Sequence, residues 1–174
     1  MFGLQAARVR ARLAGLLRSG LLSAACLLAP CAASGQEQGV TPPKDTIFAR
    51  KILMGGISEN MDEIEAMLAP EGRLNLAEGQ EHADTISIML MAFPHMFPPS
   101  TNQWVAGADR DPATDTYASP EVWARFPDFY RLADAASKVA FAASRAKRAD
   151  EFKAQIVQLR AACDSCHAVY QKVD

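Results

Sequence analysis

Along residues 45–68 apolar side chains return at Ile47, Met54, Ile57, Met61, Ile64 and Leu68. The row of three- and four-residue steps is complete once Arg50 is admitted to it. That spacing lays one stripe along one face of a helix and predicts a bundle seam. Thr41-Pro42-Pro43 precedes the segment and Pro70 follows it. The Gly55-Gly56 pair inside it lowers helix stability, which predicts a close contact at that point. A second helix is expected over 76–93, with Ile86, Met89, Leu90 and Phe93 inward and Pro94, Pro98 and Pro99 ending it. Residues 100–118 are polar and long for a connection in a compact domain, so they are expected to wrap the surface. Ser119-Pro120 reads as an N-cap followed by proline at the first helical position, opening a short helix through Trp123 that Pro127 restarts. The third main helix is expected over 128–148, where seven alanines allow close packing. The fourth is expected over 150–172. There Phe152, Ile156, Leu159, Cys163, Cys166 and Tyr170 step by 4, 3, 4, 3 and 4 residues. No segment alternates like a strand, and no repeat is visible. The pattern predicts an all-α antiparallel four-helix bundle.

Chemistry enters at the end of the fourth seam. Cys163-Asp164-Ser165-Cys166-His167 reads C-x-x-C-H, the c-type haem attachment sequence. Two thiols at this spacing can each add to one haem vinyl group, and the adjacent imidazole can reach the iron from one face. A thioredoxin-like pair normally follows a strand in a βαβ setting, which is missing here. A structural zinc site needs four ligands. Beyond the motif the chain has only His82, His95, Cys26 and Cys31 to offer. The reading is therefore one covalent haem c, held by Cys163 and Cys166 on the buried seam, with His167 on the iron.

Residues 1–35 read as a secretory signal peptide. They hold four arginines, a short apolar core around 21–28, and Ala33-Ser34-Gly35 as a cleavage site. The core is too short for a stable membrane span. Removal takes Cys26 and Cys31 with it, so residues 36–174 keep only the two motif thiols, which suits an oxidising compartment. Charge shifts as well. The chain has 18 basic and 20 acidic residues, and the signal carries four arginines and no acid, so the remainder is net −6. That argues against nucleic-acid partners and against an anionic membrane surface. A periplasmic location, one domain over 36–174 and no stable membrane insertion are expected.

With these residues in place, the chain resembles the class II c-type cytochromes, the cytochrome c-prime group. The resemblance rests on the haem motif, on Arg50-Lys51-Ile52-Leu53-Met54, on Phe93-Pro94-His95-Met96-Phe97-Pro98 and on Ser119-Pro120-Glu121-Val122-Trp123. One departure stands out: family members often place arginine or lysine after the aromatic residue that follows the haem histidine, whereas here Tyr170 is followed by Gln171. The resemblance implies a four-helix bundle, exported, and a homodimer with its first two helices at the interface. It also implies redox partner proteins. It places Met54 over the open face of the haem and so implies a six-coordinate His167/Met54 iron that carries electrons. The alternative is a five-coordinate, high-spin iron that binds nitric oxide or carbon monoxide, with Met54 merely packing the core. Arg50, one turn from Met54, is expected beside a haem propionate, donating two hydrogen bonds. His82 and His95 are expected to be non-ligating. No catalytic residue is assigned, because a peroxidase needs polar groups on the open face and Met54, Ile57 and Met61 offer none.

Overall fold

A computed structural model describes residues 41–105, 107 and 116–172. The expected signal segment lies outside them. Five α-helices follow in chain order: α1 (Pro43–Leu68), α2 (Leu76–Ala92), α3 (Glu121–Ala124), α4 (Phe126–Ser144) and α5 (Ala149–Tyr170). Two 3-10 turns, Phe93–Met96 and Pro99–Thr101, follow α2. The four long helices make the bundle, and the described residues contain no strand, only an isolated antiparallel bridge between Ala118 and Gln171.

The seams are those the periodicity marks. In α1 the buried residues are Ile47, Arg50, Ile57, Met61 and Ile64. In α5 they are Phe152, Ile156, Leu159 and Tyr170. Asn75 caps α2 by accepting from Glu78 N at 3.4 Å. The chain stays helical through Gly55-Gly56, and Gly56 faces Met89, whose Cε would lie 3.2 Å from a Cβ built there. Gly55 has open space around it, so the expected close contact holds for one glycine of the pair. Gly79 has the same role more severely. A Cβ there would sit 2.8 Å from the ring of Phe152, the largest fully buried side chain.

The boundaries differ from expectation at α4, which stops at Ser144 rather than at Arg148. There Ser144 Oγ shares its one hydrogen between Phe141 O at 2.9 Å and Asp84 Oδ1 at 3.1 Å, a side-chain alternative to continued helix. Gln80 then bonds Ala146 O at 2.7 Å, and Glu151 accepts from Lys147 N at 3.0 Å, fixing the turn into α5.

Packing runs α1 on α2, α2 on α4 and α4 on α5, whereas α1 and α5 scarcely pack on each other. An exposed ion pair, Glu65 with Arg160 at 2.7 Å, joins their surfaces. Two apolar clusters result. The larger fills the bundle around Ile64, Ile86, Phe152 and Leu159. The smaller, around Phe97, Val122, Phe129 and Tyr170, sits where the connection after α2 meets the ends of α4 and α5.

Candidate haem site

The gap left where α1 and α5 do not pack is a cavity of about 420 Å³. The seam of α1 gives it Met54, Ile57 and Met61, and α5 gives it Cys163, Cys166 and His167. The sequence motif and the residue expected opposite it therefore share one cavity. Their exposures differ. Both cysteines are half-buried, His167 is exposed at the rim, and Ile57 and Met61 belong to the core. The helix period explains this: Cys163 and Cys166 continue the buried seam of α5, and His167 stands one position off it.

Burial sets the protonation of the motif. It raises the Cys163 thiol and pushes Cys166 up to about 11, with the neighbouring Cys163 adding to the second shift. Redox-catalytic cysteines need the opposite, a lowered pKa that makes a thiolate. The pair is thus a pair of neutral thiols in an apolar wall. Burial against that wall also lowers His167, so the imidazole keeps a free lone pair at neutral pH.

Arg50 lines the same cavity and is 3% exposed. Its Nη1 donates to Thr101 Oγ1 at 2.8 Å and to Met96 O at 3.4 Å. Its Nη2 donates to Thr116 Oγ1 at 2.8 Å and to Thr101 O at 3.3 Å. The guanidinium carbon lies 4.5 Å from the centre of the Phe97 ring and 5.5 Å from that of Trp123. Burial pulls its pKa down to about 10, still far above neutrality, so the group stays charged. The four Nη hydrogens thus have protein partners, so the expected two-bond grip on a haem propionate requires two of these bonds to be exchanged. No carboxylate among the described residues bonds it. A buried cation is costly, and a cofactor bearing two carboxylates in the same cavity would offset part of that cost by long-range attraction.

The partners of Arg50 were not legible in sequence. Thr101 and Thr116 are 0% and 5% exposed, although they belong to the polar connection expected to wrap the surface. Ser119 also differs from expectation. Its carbonyl accepts from Val122 N at 3.0 Å as a cap would, but its hydroxyl donates to Val169 O at 3.1 Å in α5. Tyr170 OH donates to Asp128 Oδ2 at 2.7 Å, a bond no pattern announced. The other histidines stand away from the cavity. His82 Nδ1 lies 2.8 Å from Asn60 Oδ1, and the His95 ring meets that of Tyr130 edge-on with centroids 5.9 Å apart.

The cavity, its neutral thiols, the rim imidazole and the buried cation suit a flat apolar cofactor with two acidic groups. Comparison with known proteins agrees. No curated relative matches the sequence. Among solved structures, cytochrome c' from Thermochromatium tepidum is 25% identical with a TM-score of 0.64, over 76% of this chain and 98% of that one. Cytochrome c' from Rubrivivax gelatinosus shares the fold at 22% identity and a TM-score of 0.63, over 76% and 98%. The nitric oxide complex of a mutant cytochrome c prime from Alcaligenes xylosoxidans does so at 18% and 0.64, over 76% and 98%. Residues 45–171 match the family described as Cytochrome C'. The chain belongs to the cytochrome c' family, whose members bind one covalent haem c.

Proposed function

We propose that this protein holds haem through thioethers to Cys163 and Cys166, takes His167 as the axial ligand, and leaves the opposite iron face to a small uncharged ligand such as nitric oxide or carbon monoxide. Each thioether forms by adding a thiol S–H across a vinyl group, so nothing leaves and no redox change is needed. Haem c supplies an iron that changes oxidation state and accepts a ligand on an open face. The residues of this chain do the rest. His167 approaches from the rim, while Met54, Ile57 and Met61 make an apolar wall that offers no proton and no hydrogen bond. The observation that carries the reading is the nitric oxide complex of the Alcaligenes protein, which shares this fold. It favours the five-coordinate expectation over the six-coordinate one, and the apolar α1 wall of the cavity is compatible with an open iron face. One observation keeps the second reading, a His167/Met54 electron carrier serving redox partner proteins: Met54 lines the cavity that His167 lines. Electronic absorption separates the two. The five-coordinate reading predicts a high-spin ferric spectrum and ready carbon monoxide binding when reduced. A low-spin ferric spectrum and no carbon monoxide binding would establish the electron carrier instead.

The same reading has residues 1–35 removed on export to the periplasm. It has a second copy covering the face of α1 and α2, where Phe48, Ile52, Ile88 and Met91 are each about 60% exposed. Leu53, next to Ile52 in α1, is half-buried in a groove beside Gly56, Met89 and Met96. A cytochrome c' of the same fold at 23% identity shows ligand-controlled dimer dissociation, which supports a homodimer. No helix among the described residues is long and apolar enough to cross a membrane. Sedimentation should give a dimer for the exported protein and a monomer for Ile52→Glu. A wild-type monomer at tens of micromolar contradicts the pairing.

A further inference from the structure

Supports for both walls of the haem cavity meet in one short segment, residues 116–119. On the α1 side, Arg50 stands one turn before Met54 and its Nη2 donates to the Thr116 hydroxyl at 2.8 Å. Ala118 N donates to that hydroxyl as well, at 3.0 Å. On the α5 side, Ser119 N donates to Tyr170 O at 2.9 Å and Ser119 Oγ to Val169 O at 3.1 Å. Lys172 N donates to Tyr117 O at 2.8 Å, and Ala118 pairs with Gln171. Val169 and Tyr170 belong to the turn that follows His167. Their carbonyls are among the last four of the helix, which have no partner within it. The segment supplies that partner and, three residues earlier, also receives the buried charge of α1.

Both anchors are buried, Thr116 at 5% and Ser119 at 0% exposure. The two helices they join scarcely pack on each other. We propose that residues 116–119 are a positioning strap that ties the wall carrying Met54 to the turn carrying His167, with Thr116 and Ser119 as its two positioning residues. The proposal rests on His167 as the iron ligand. The strap sets how far the α1 wall stands from the imidazole, and so how much room the open iron face has. Two buried, hydrogen-bonded anchors suit this, because a shift of either leaves a polar group unsatisfied in a low-dielectric site.

The test uses the holoprotein and three readouts: carbon monoxide affinity of the reduced form, the iron–histidine stretching frequency by resonance Raman, and the melting temperature. Ser119→Ala, which loses one hydrogen bond, should change carbon monoxide affinity by about three- to tenfold, and Thr116→Val, which loses those from Arg50 and Ala118 N, by at least as much. Both should shift the iron–histidine frequency. Thr116→Ser, which keeps the hydroxyl, should match wild type. Ser144→Ala removes a hydrogen bond to Asp84 at the opposite end of the bundle. It should lower the melting temperature and leave ligand affinity and frequency unchanged. Because the two anchors act in series, the double variant should shift affinity no more than the larger single one. Additive shifts overturn the strap. So do single variants that melt earlier yet keep wild-type affinity and frequency. If Thr116→Val does not hold haem, the other two decide: Ser119→Ala shifted with Thr116→Ser unchanged supports the strap, and both unchanged overturns it. A wild type that binds no carbon monoxide counts against the gas-binding reading alone. The reduction potentials of the same variants then decide the strap: shifts in Thr116→Val and Ser119→Ala with Thr116→Ser unchanged support it, and unchanged potentials overturn it.

Discussion

Arg50→Lys keeps the charge in the cavity wall and removes the planar fork that carries it. An ammonium is one point with three donors, so it can serve the Thr101 hydroxyl or the Thr116 hydroxyl but cannot bridge both as the guanidinium does at 2.8 Å each. One hydrogen bond to a charged group is lost, about 1.5–3 kcal/mol. The stack on Phe97, at 4.5 Å, is lost as well, adding about 0.5–1 kcal/mol. The lysine stem recovers part of the packing, so the net loss is about 2–3 kcal/mol. For a domain of this size that lowers the melting temperature by roughly 10 °C. The assay is thermal unfolding of the holoprotein followed by far-ultraviolet circular dichroism, with Thr101→Val run in parallel as a partial loss. A Lys variant that melts within about 2 °C of wild type refutes the reasoning: the fork would then not hold the connection, and the burial of Thr101 and Thr116 would need another cause.

Asp128→Asn tests the hold on the last turn of α5. The hydrogen bond from Tyr170 and then that from Arg131 lower the Asp128 pKa below its ordinary value of 3.8. A depressed carboxylate stabilises the fold above its unfolded pKa and loses that contribution as pH falls through the folded one. Wild type should therefore lose stability faster than the Asn variant below about pH 4; parallel acid-unfolding curves would contradict this. Cys163→Ala with Cys166→Ala should give a chain whose haem, if retained, is extracted by acidic organic solvent, whereas wild type keeps its haem; extraction from wild type would contradict the thioethers.

Most of the scaffold was legible because its information is periodic. The α1 row, Arg50 included, and the α5 row through Tyr170 name the buried residues of those helices. That Cys163, Cys166 and His167 share the cavity with the α1 seam was legible because the motif continues the α5 row at fixed spacing. The failures share a different cause. Thr101 and Thr116 are buried by what they bond, not by apolar character, and a polar connection carries no period that could announce them. The hydroxyl of Ser119 had two uses available to it, a local cap and a distant carbonyl, and tertiary contact decided for Val169. The early end of α4 likewise coincides with a distant partner, Asp84, sixty residues away in sequence, accepting from Ser144. Met54 was legible as a cavity residue, but seam position alone does not distinguish a ligand from a packing thioether.

That distinction is the central claim, and iron K-edge X-ray absorption of the exported protein tests it most directly, in both oxidation states. The account predicts five light-atom neighbours, four from the macrocycle and one from His167, and no sulphur in the first shell. A sulphur scatterer bound to iron in wild type, lost in Met54→Leu, would contradict it and make Met54 the sixth ligand.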